Sequence, residues 1–544
     1  MITRRKSLEI ISFLAGLAII GWTPAPGLAK SVSKGRKDGE YDAVIIGAGL
    51  GGLGCAALMA RGGMKPLVIE QHSVPGGYAS SFERVGADGS VFPCEVSLHS
   101  TSARAPDMRR MLTDMGVYDR LDLVDHKLIW SSVEPGGIVD VPPCGVGGFC
   151  DMVGRRFPGE REGLGRLAAY WQKLLDEVAA YDSNEAAALK LLFPLRHPTM
   201  WDVAGKTLAQ VLDRFVSDPA ARGMIGMNWG YYGLPPSRLS AFYYLLPFGE
   251  YLTQGGQYLR GTSQTLSDAL ADVVVKGGGT LLLNERVEAI LMEDGRARGV
   301  RTASGKTFKA AAVVSNAAAP ATFAMLPPGT LPNDYATRVA GLRPSMGTVM
   351  VWLGLDRDIS TLQPRAGLSL PPSVDADAAY AAALAGDYER SGMACMIYDN
   401  IAPGFSPKGR TSLVLLTLCG YEPWSKYAAD YAAGRKDAYE RAKRDAADRL
   451  IAQAEARILP GLSKMIVMRE AATPLTNQRF TGNTGGAIYG FDQSVDNSYM
   501  TRLPNKTPVP GLLLSSAWGN PGGGFAGALM AGKGAFKLLV EERG

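Results

Sequence analysis

The stretch Gly47-Ala48-Gly49-Leu50-Gly51-Gly52 has the residue types and spacing that most directly suggest chemistry in this chain. Gly47 permits a tight turn, Gly49 lets the backbone approach a pyrophosphate, and Gly52 lets a helix pack closely on its strand. Free N–H groups at the start of that helix attract phosphate charge. The pattern alone is weak. With Gly 66 in 544 residues, it recurs at Gly49 to Gly54 and at Gly522 to Gly527. The surrounding elements select the first match. Tyr41 to Ile46 reads as a buried parallel strand, Leu53 to Arg61 as a short helix stopped by Gly62-Gly63, and Pro66 to Ile69 as a second strand ending at Glu70. An acid at that place accepts hydrogen bonds from an adenosine ribose, which suits FAD or NAD and disfavours the 2′-phosphate of NADP.

The rest of the chain offers little competing chemistry. Hydrophobic residues at 46% and charged residues at 20% describe a globular protein rather than a disordered one. A net charge of +5 gives no basic field for nucleic acid, and Arg109-Arg110 and Arg155-Arg156 read as solvated surface. No Ser/His/Asp set stands out, and His 4 and Cys 6, scattered, suggest no metal site. Cys144 and Cys150 match no zinc or redox spacing, so buried free thiols are expected. Trp229, Tyr231, Tyr232, Phe242, Tyr243 and Tyr244 form an aromatic stretch that suits either a core or the wall of an apolar ligand site.

The first thirty residues carry their own signal. Arg4-Arg5-Lys6 precedes an apolar run from Ile10 to Trp22, and Gly27-Leu28-Ala29 offers a small-residue cut site. This layout predicts a signal peptide over residues 1–29, too short in its apolar part to span a bilayer comfortably, with an uncleaved N-terminal anchor as the alternative. The Arg4-Arg5 pair resembles a twin-arginine signal, which implies export of a folded protein to the periplasm.

Beyond Glu70 runs Gln71-His72-Ser73-Val74-Pro75-Gly76-Gly77-Tyr78, and here the chain resembles the flavoprotein family of amine oxidases, phytoene desaturases, carotenoid isomerases and retinol saturases. In that family a Gly-Gly pair after the ribose acid passes close to the FAD phosphates. Further similar segments follow in order: Phe157-Pro158-Gly159-Glu160 before a long amphipathic helix, Gly233-Leu234-Pro235-Pro236-Ser237, Gln254-Gly255-Gly256, and Val313 to Ala317. Phe480 to Phe491 resembles a desaturase and isomerase signature, and Pro508 to Ala528 the final FAD-binding strand, loop and helix. Two departures are visible. Ala517 and Trp518 stand where relatives often carry an acid, and Tyr78 stands where many desaturases and amine oxidases carry arginine. The second moves the resemblance towards carotenoid isomerases and retinol saturases.

The resemblance implies an α/β protein: a Rossmann-like FAD-binding domain from residues 38–100, 255–330 and 465–544, interleaved with an α+β substrate domain from 101–254 and 331–464. It implies FAD contacts at Gly47, Ala48, Gly49, Gly51, Gly52, Glu70, Gly76, Gly77, Tyr78, Val287, Ala517, Trp518, Gly523, Gly524, Phe525 and Ala526. Matching Cys94 to His99 with a family stretch puts Glu95 and His99 near the flavin, with Trp518, as candidate catalytic residues. The implied activity is desaturation, saturation or isomerisation of an apolar isoprenoid or polyene lipid. Its electron acceptor would be a quinone, a redox protein or oxygen, and the lipid substrate would bring peripheral membrane contact. An amine oxidase, a redox-neutral polyene isomerase and a non-enzymatic escort of prenylated proteins remain as alternatives on the same fold.

Overall fold

The structure is a computed structural model that describes residues 41–98, 100–134, 136–181, 192–372, 375–499 and 501–542. The expected signal peptide and His99 lie outside the described residues.

The glycine pattern sits on a five-stranded parallel sheet ordered Leu512–Leu514, Val313–Ser315, Ala43–Ile46, Pro66–Ile69, Thr280–Leu282. All four neighbouring pairs are parallel, so segments as distant in the chain as Val44 and Val313 lie side by side. Side chains of a strand alternate between faces, and both faces here are covered. Ala43 and Ile45 pack against helices Leu50–Arg61, Gln264–Lys276 and Gly524–Glu541. Val44 and Ile46 pack against a three-stranded antiparallel layer, Val287–Glu293, Arg296–Thr302 and Thr307–Lys309. This is why Ala43–Ile46 is apolar at every position rather than alternating.

A second, seven-stranded sheet runs Ile466–Ala472, Gly347–Leu355, Thr411–Cys419, Met393–Ile397, Gly367–Leu370, Trp130–Glu134, Gly137–Val141. One face is closed by helix Asp437–Arg457, whose Leu450, Ile451 and Ala454 meet Val349, Val351 and Leu353. A helical cluster covers another side. In it Arg161–Ala179 follows the Phe157-Pro158-Gly159-Glu160 turn, burying Leu164, Leu167, Trp171 and Leu174 at helical spacing. The Trp171 indole N–H donates to the Leu245 carbonyl at 2.7 Å, pinning that helix to Ala241–Gln254.

Two segments differ from the expected domain boundaries. Ile466–Ala472 pairs antiparallel with Gly347–Leu355, so the third FAD segment starts later than residue 465. The hairpin Ser81–Val85 and Val91–Glu95 spans both halves: Phe92 and Cys94 are buried with Met350 and Trp352, and Trp352 Nε1 donates to the Glu95 carbonyl at 2.6 Å. Apolar side chains on this hairpin found their burial partners on the second sheet, a long-range outcome that local pattern does not reveal.

Candidate flavin and substrate site

The carboxyl ends of the parallel strands open into a cavity of about 970 Å³, bounded on its far side by the seven-stranded sheet and the helical cluster. Clefts that take large ligands lie at this upper end of the ~300–1,000 Å³ range, and in open α/β sheets they form at the strands' carboxyl ends.

The first turn is held by Glu70. Its Oε2 accepts from the Ala48 N–H at 2.8 Å and its Oε1 from the His72 N–H at 3.0 Å. The Gly76-Gly77 loop then crosses the glycine turn, with the Gly76 N–H donating to the Ala48 carbonyl at 2.8 Å. Gly76 has φ +128, and a Cβ there would meet the Ala79 carbonyl oxygen at 2.3 Å, so no L side chain fits.

Gly51 serves a different purpose from the expected cofactor contact. It does not line the cavity: a Cβ there would stand 1.6 Å from the Ser515 carbonyl oxygen, so the helix start is pressed onto the turn after strand Leu512–Leu514. Gly52 likewise faces protein, as expected for helix-to-strand packing, and Ala48 is occupied by its two backbone bonds. The other expected cofactor positions all line the one cavity: Gly47, Gly49, Glu70, Gly76, Gly77, Tyr78, Val287, Ala517, Trp518, Gly523, Gly524, Phe525 and Ala526.

Two helices begin on this cavity, Leu50–Arg61 and Gly524–Glu541. Each starts after a glycine N-cap, with no side-chain cap and no acid in its first turn. Their open N–H ends suit the anionic part of a dinucleotide. Together with the side-chain-free crossing of two glycine loops and the Glu70 carboxylate on the wall, these features fit FAD.

The candidate catalytic residues divide. Glu95 is 0% exposed and does not line the cavity, which corrects the expectation that it faces the flavin. Its carboxyl accepts from the Ser263 N–H at 2.9 Å, the Ser263 hydroxyl at 2.6 Å and the Tyr258 hydroxyl at 3.0 Å. Burial pushes its pKa up to about 7, outweighing the three donors that favour the charged form. Trp518 does line the cavity, but its indole N–H is given to Asn483 Oδ1 at 3.0 Å and its ring lies edge-on to Phe491 at 4.8 Å. It shapes the wall. Tyr78 donates to the Ala487 carbonyl at 3.2 Å, and burial pushes its pKa to about 12, so it is an uncharged clasp between the glycine loop and the 480–491 segment.

Three further residues were not expected from sequence. Asn316 follows strand Val313–Ser315 and accepts from the Gly52 N–H at 3.1 Å, capping the glycine helix from the neighbouring strand. Its place at a strand's carboxyl end was the available signal. Arg502, 3% exposed, donates to the backbone carbonyls of Tyr489, Phe491, Asp492, Asn497, Ala517 and Gly519, tying the whole loop before the last helix to one guanidinium. Burial lowers its pKa to about 10. Glu250 lines the cavity on helix Ala241–Gln254, and burial, with a like-charge push from Asp107, raises its pKa to about 7. Of the cysteines, Cys144 departs from the expected burial and is exposed, and none is bonded to another.

A family model described as flavin containing amine oxidoreductase matches residues 50–535. The chain belongs to this family. It is an FAD-dependent oxidoreductase related to retinol saturases and carotenoid isomerases. A chloroplastic prolycopene isomerase of Daucus carota is 24% identical, covering 94% of this chain and 83% of the relative. An all-trans-retinol 13,14-reductase of Macaca fascicularis is 25% identical over 90% of this chain and 84% of the relative. Among solved structures, wild-type putrescine oxidase bound to putrescine superimposes with a TM-score of 0.58 at 15% identity, covering 92% of this chain and 99% of that one. Cyclohexylamine oxidase from Brevibacterium oxydans gives 0.57 at 17% identity, with 92% and 99% covered. At such identities the oxidases share the fold, a parallel Rossmann-type sheet beside a mixed substrate-domain sheet.

Proposed function

We propose that this flavoenzyme desaturates, saturates or isomerises carbon–carbon bonds of an apolar polyene or isoprenoid lipid. The observation that carries the reading is the far wall of the cavity. Tyr243, Leu246, Pro247, Met350, Leu416 and Ile488 line it. Such a surface takes up an extended apolar molecule by burial rather than by charge. The relatives named for prolycopene and retinol favour the same substrate class.

FAD supplies the hydride or single-electron exchange that such bonds require. The chain's own contribution is placement. Tyr243 donates to the Gly523 carbonyl at 3.2 Å and so joins the substrate wall to the start of helix Gly524–Glu541. Glu95 is withdrawn from the wall and Tyr78 is bonded to a carbonyl, so neither reaches a substrate as a free acid or base. In desaturation the electrons would pass to a quinone, a redox protein or oxygen; saturation would instead draw two electrons from a reduced donor, and isomerisation would consume neither.

The test is to load the purified protein with FAD and incubate it anaerobically with polyenes and, separately, with amines, following flavin absorbance and products. Polyene conversion without amine turnover is the expected result. Flavin reduced by amines alone would replace this reading with amine oxidation. Export is part of the proposal: replacing Arg4 and Arg5 together by lysine should retain the protein in the cytoplasm, and unchanged periplasmic recovery would reject it.

A further inference from the structure

Making or removing a carbon–carbon double bond moves a proton as well as the hydride that FAD chemistry exchanges. Most described carboxyls on the cavity are already engaged. Glu70 is taken by the Ala48 and His72 N–H groups, Glu285 by Ser304 and Lys306, and Glu288 by Arg301. Asp107 stands exposed at the start of helix Pro106–Asp114, in the field of Lys533. Glu250 makes no hydrogen bond or ion pair with another described residue. Burial and the like charge of Asp107 make it costly to ionise, so it can hold or release a proton close to neutral pH.

Its helix aims it at the cavity. Tyr243, Leu246, Pro247, Glu250 and Tyr251 follow at helical spacing on one stripe of Ala241–Gln254, and all line the cavity. Glu250 keeps part of its surface open, whereas Phe248 and Gly249 beside it are buried. At one end of the stripe Tyr243 meets Gly523, where helix Gly524–Glu541 begins. At the other stands the exposed Asp107, with Arg110 and Lys533 also on the lining. Glu250 therefore lies between the Gly523 end of the wall and a charged, solvent-facing edge. The other titratable groups around it stay neutral at pH 7: burial lowers the His126 pKa to about 4 and raises those of Tyr231, Tyr251, Tyr489 and Tyr499.

We propose that Glu250 gives and takes the substrate proton, and that Asp107 and Lys533 mark its route to solvent. This rests on the polyene reading above and adds the residue that its chemistry requires. In saturation the proton leaves the Glu250 carboxyl for one alkene carbon as a hydride reaches the other. The π bond breaks, two C–H bonds form, two electrons come from a reduced donor, and water reprotonates the carboxylate. Desaturation is the reverse: the Glu250 carboxylate takes the proton, and the electrons leave to a quinone, a redox protein or oxygen. Isomerisation adds the proton at one carbon and removes it after rotation, with no electrons exchanged.

The experiment follows single turnovers of the FAD-loaded protein from pH 5 to pH 9, with all-trans-retinol after dithionite reduction and with prolycopene. Polyene binding is read by quenching of tryptophan fluorescence, and FAD content by absorbance. The wild-type rate is expected to change around pH 7, falling above it where Glu250 acts as the acid and rising where it acts as the base. Glu250→Gln should slow turnover ~100-fold and lose that pH step, while polyene and FAD binding stay within about twofold of wild type. Glu250→Asp should regain part of the rate. Without substrate, the infrared difference spectrum between pH 5 and pH 9 should contain a carboxylic acid band that Glu250→Gln lacks. Asp107→Asn removes a like charge and should move the pH step to lower pH. Normal turnover by Glu250→Gln, a pH step that survives in it, or a loss explained by weaker polyene binding overturns the assignment and leaves the polyene reading standing. Conversion of neither polyene by wild type removes both. Should Glu250→Gln fail to hold FAD, the Asp107→Asn shift decides: an unmoved pH step overturns the assignment.

Discussion

Glu95 and Glu250 are both carboxyls whose pKa burial raises to about 7, and what surrounds them separates their roles. Glu95 is enclosed by Ser263 and Tyr258 and fastens the end of hairpin strand Val91–Glu95 to the turn before helix Gln264–Lys276. Because its folded pKa lies above the unfolded value, the native state binds the extra proton, and stability is lost as pH rises from about 4.5 to about 7. Glu95→Gln keeps the shape without the charge. Its stability should therefore gain on wild type as pH goes from 5 to 8, by up to about 2.5 kcal/mol, seen as a rising thermal midpoint relative to wild type. A gap that is constant or shrinks across that range in parallel melts would mean that Glu95 is not desolvated as described. Gly51 makes a separate demand. A methyl group at 1.6 Å from the Ser515 carbonyl cannot be relieved by a flexible side chain, since both sides are backbone. Gly51→Ala is expected to cost at least ~2 kcal/mol and to abolish flavin absorbance in the purified protein. Normal FAD content would show that the helix start shifts at little cost.

At the scale of elements, the segment from Tyr489 to Gly519 matters most, because it includes cavity residues Ala517 and Trp518 yet, among the described residues between 487 and 511, has only a short 3₁₀ turn, Val495–Asn497. Arg502 substitutes for regular structure there by taking up backbone carbonyls that no helix or sheet satisfies. Arg502→Met leaves those carbonyls buried and unpaired. It should cost ~3–5 kcal/mol and weaken FAD retention on gel filtration, and a variant melting like wild type would contradict the role. The glycine helix Leu50–Arg61 is held by packing as much as by its own hydrogen bonds. Gly532 of helix Gly524–Glu541 lies so close that a Cβ would be 2.4 Å from the Gly51 carbonyl.

Over the whole molecule, the cavity is the space between two sheets joined by the Ser81–Glu95 hairpin, by the Tyr78 to Ala487 clasp and by helix-borne contacts such as Tyr243 to Gly523. A ligand that fills it joins the two halves. Removing FAD should lower the thermal midpoint by a few degrees. Restoring FAD at a hundredfold excess over its Kd should recover about 2.7 kcal/mol, readable as a concentration-dependent melt. Identical melts of the apo and loaded protein would show that the cofactor is peripheral to the fold.

The residues of the first βαβ unit were legible in the sequence, because glycine turn, short apolar strand and ribose acid are local patterns. Pro66–Ile69 has the expected ends, and Leu50–Arg61 begins three residues before the expected helix start. The long helix after Phe157-Pro158-Gly159-Glu160 was equally readable from its apolar spacing. Tertiary structure alone decided what meets across the chain. It turned Glu95 into a buried staple, moved Ile466–Ala472 to the second sheet, and set Asn316 against Gly52, 264 residues away. Turn chemistry and periodicity are encoded within a few residues, whereas desolvation and pairing depend on which distant segments pack together, and no local pattern records that.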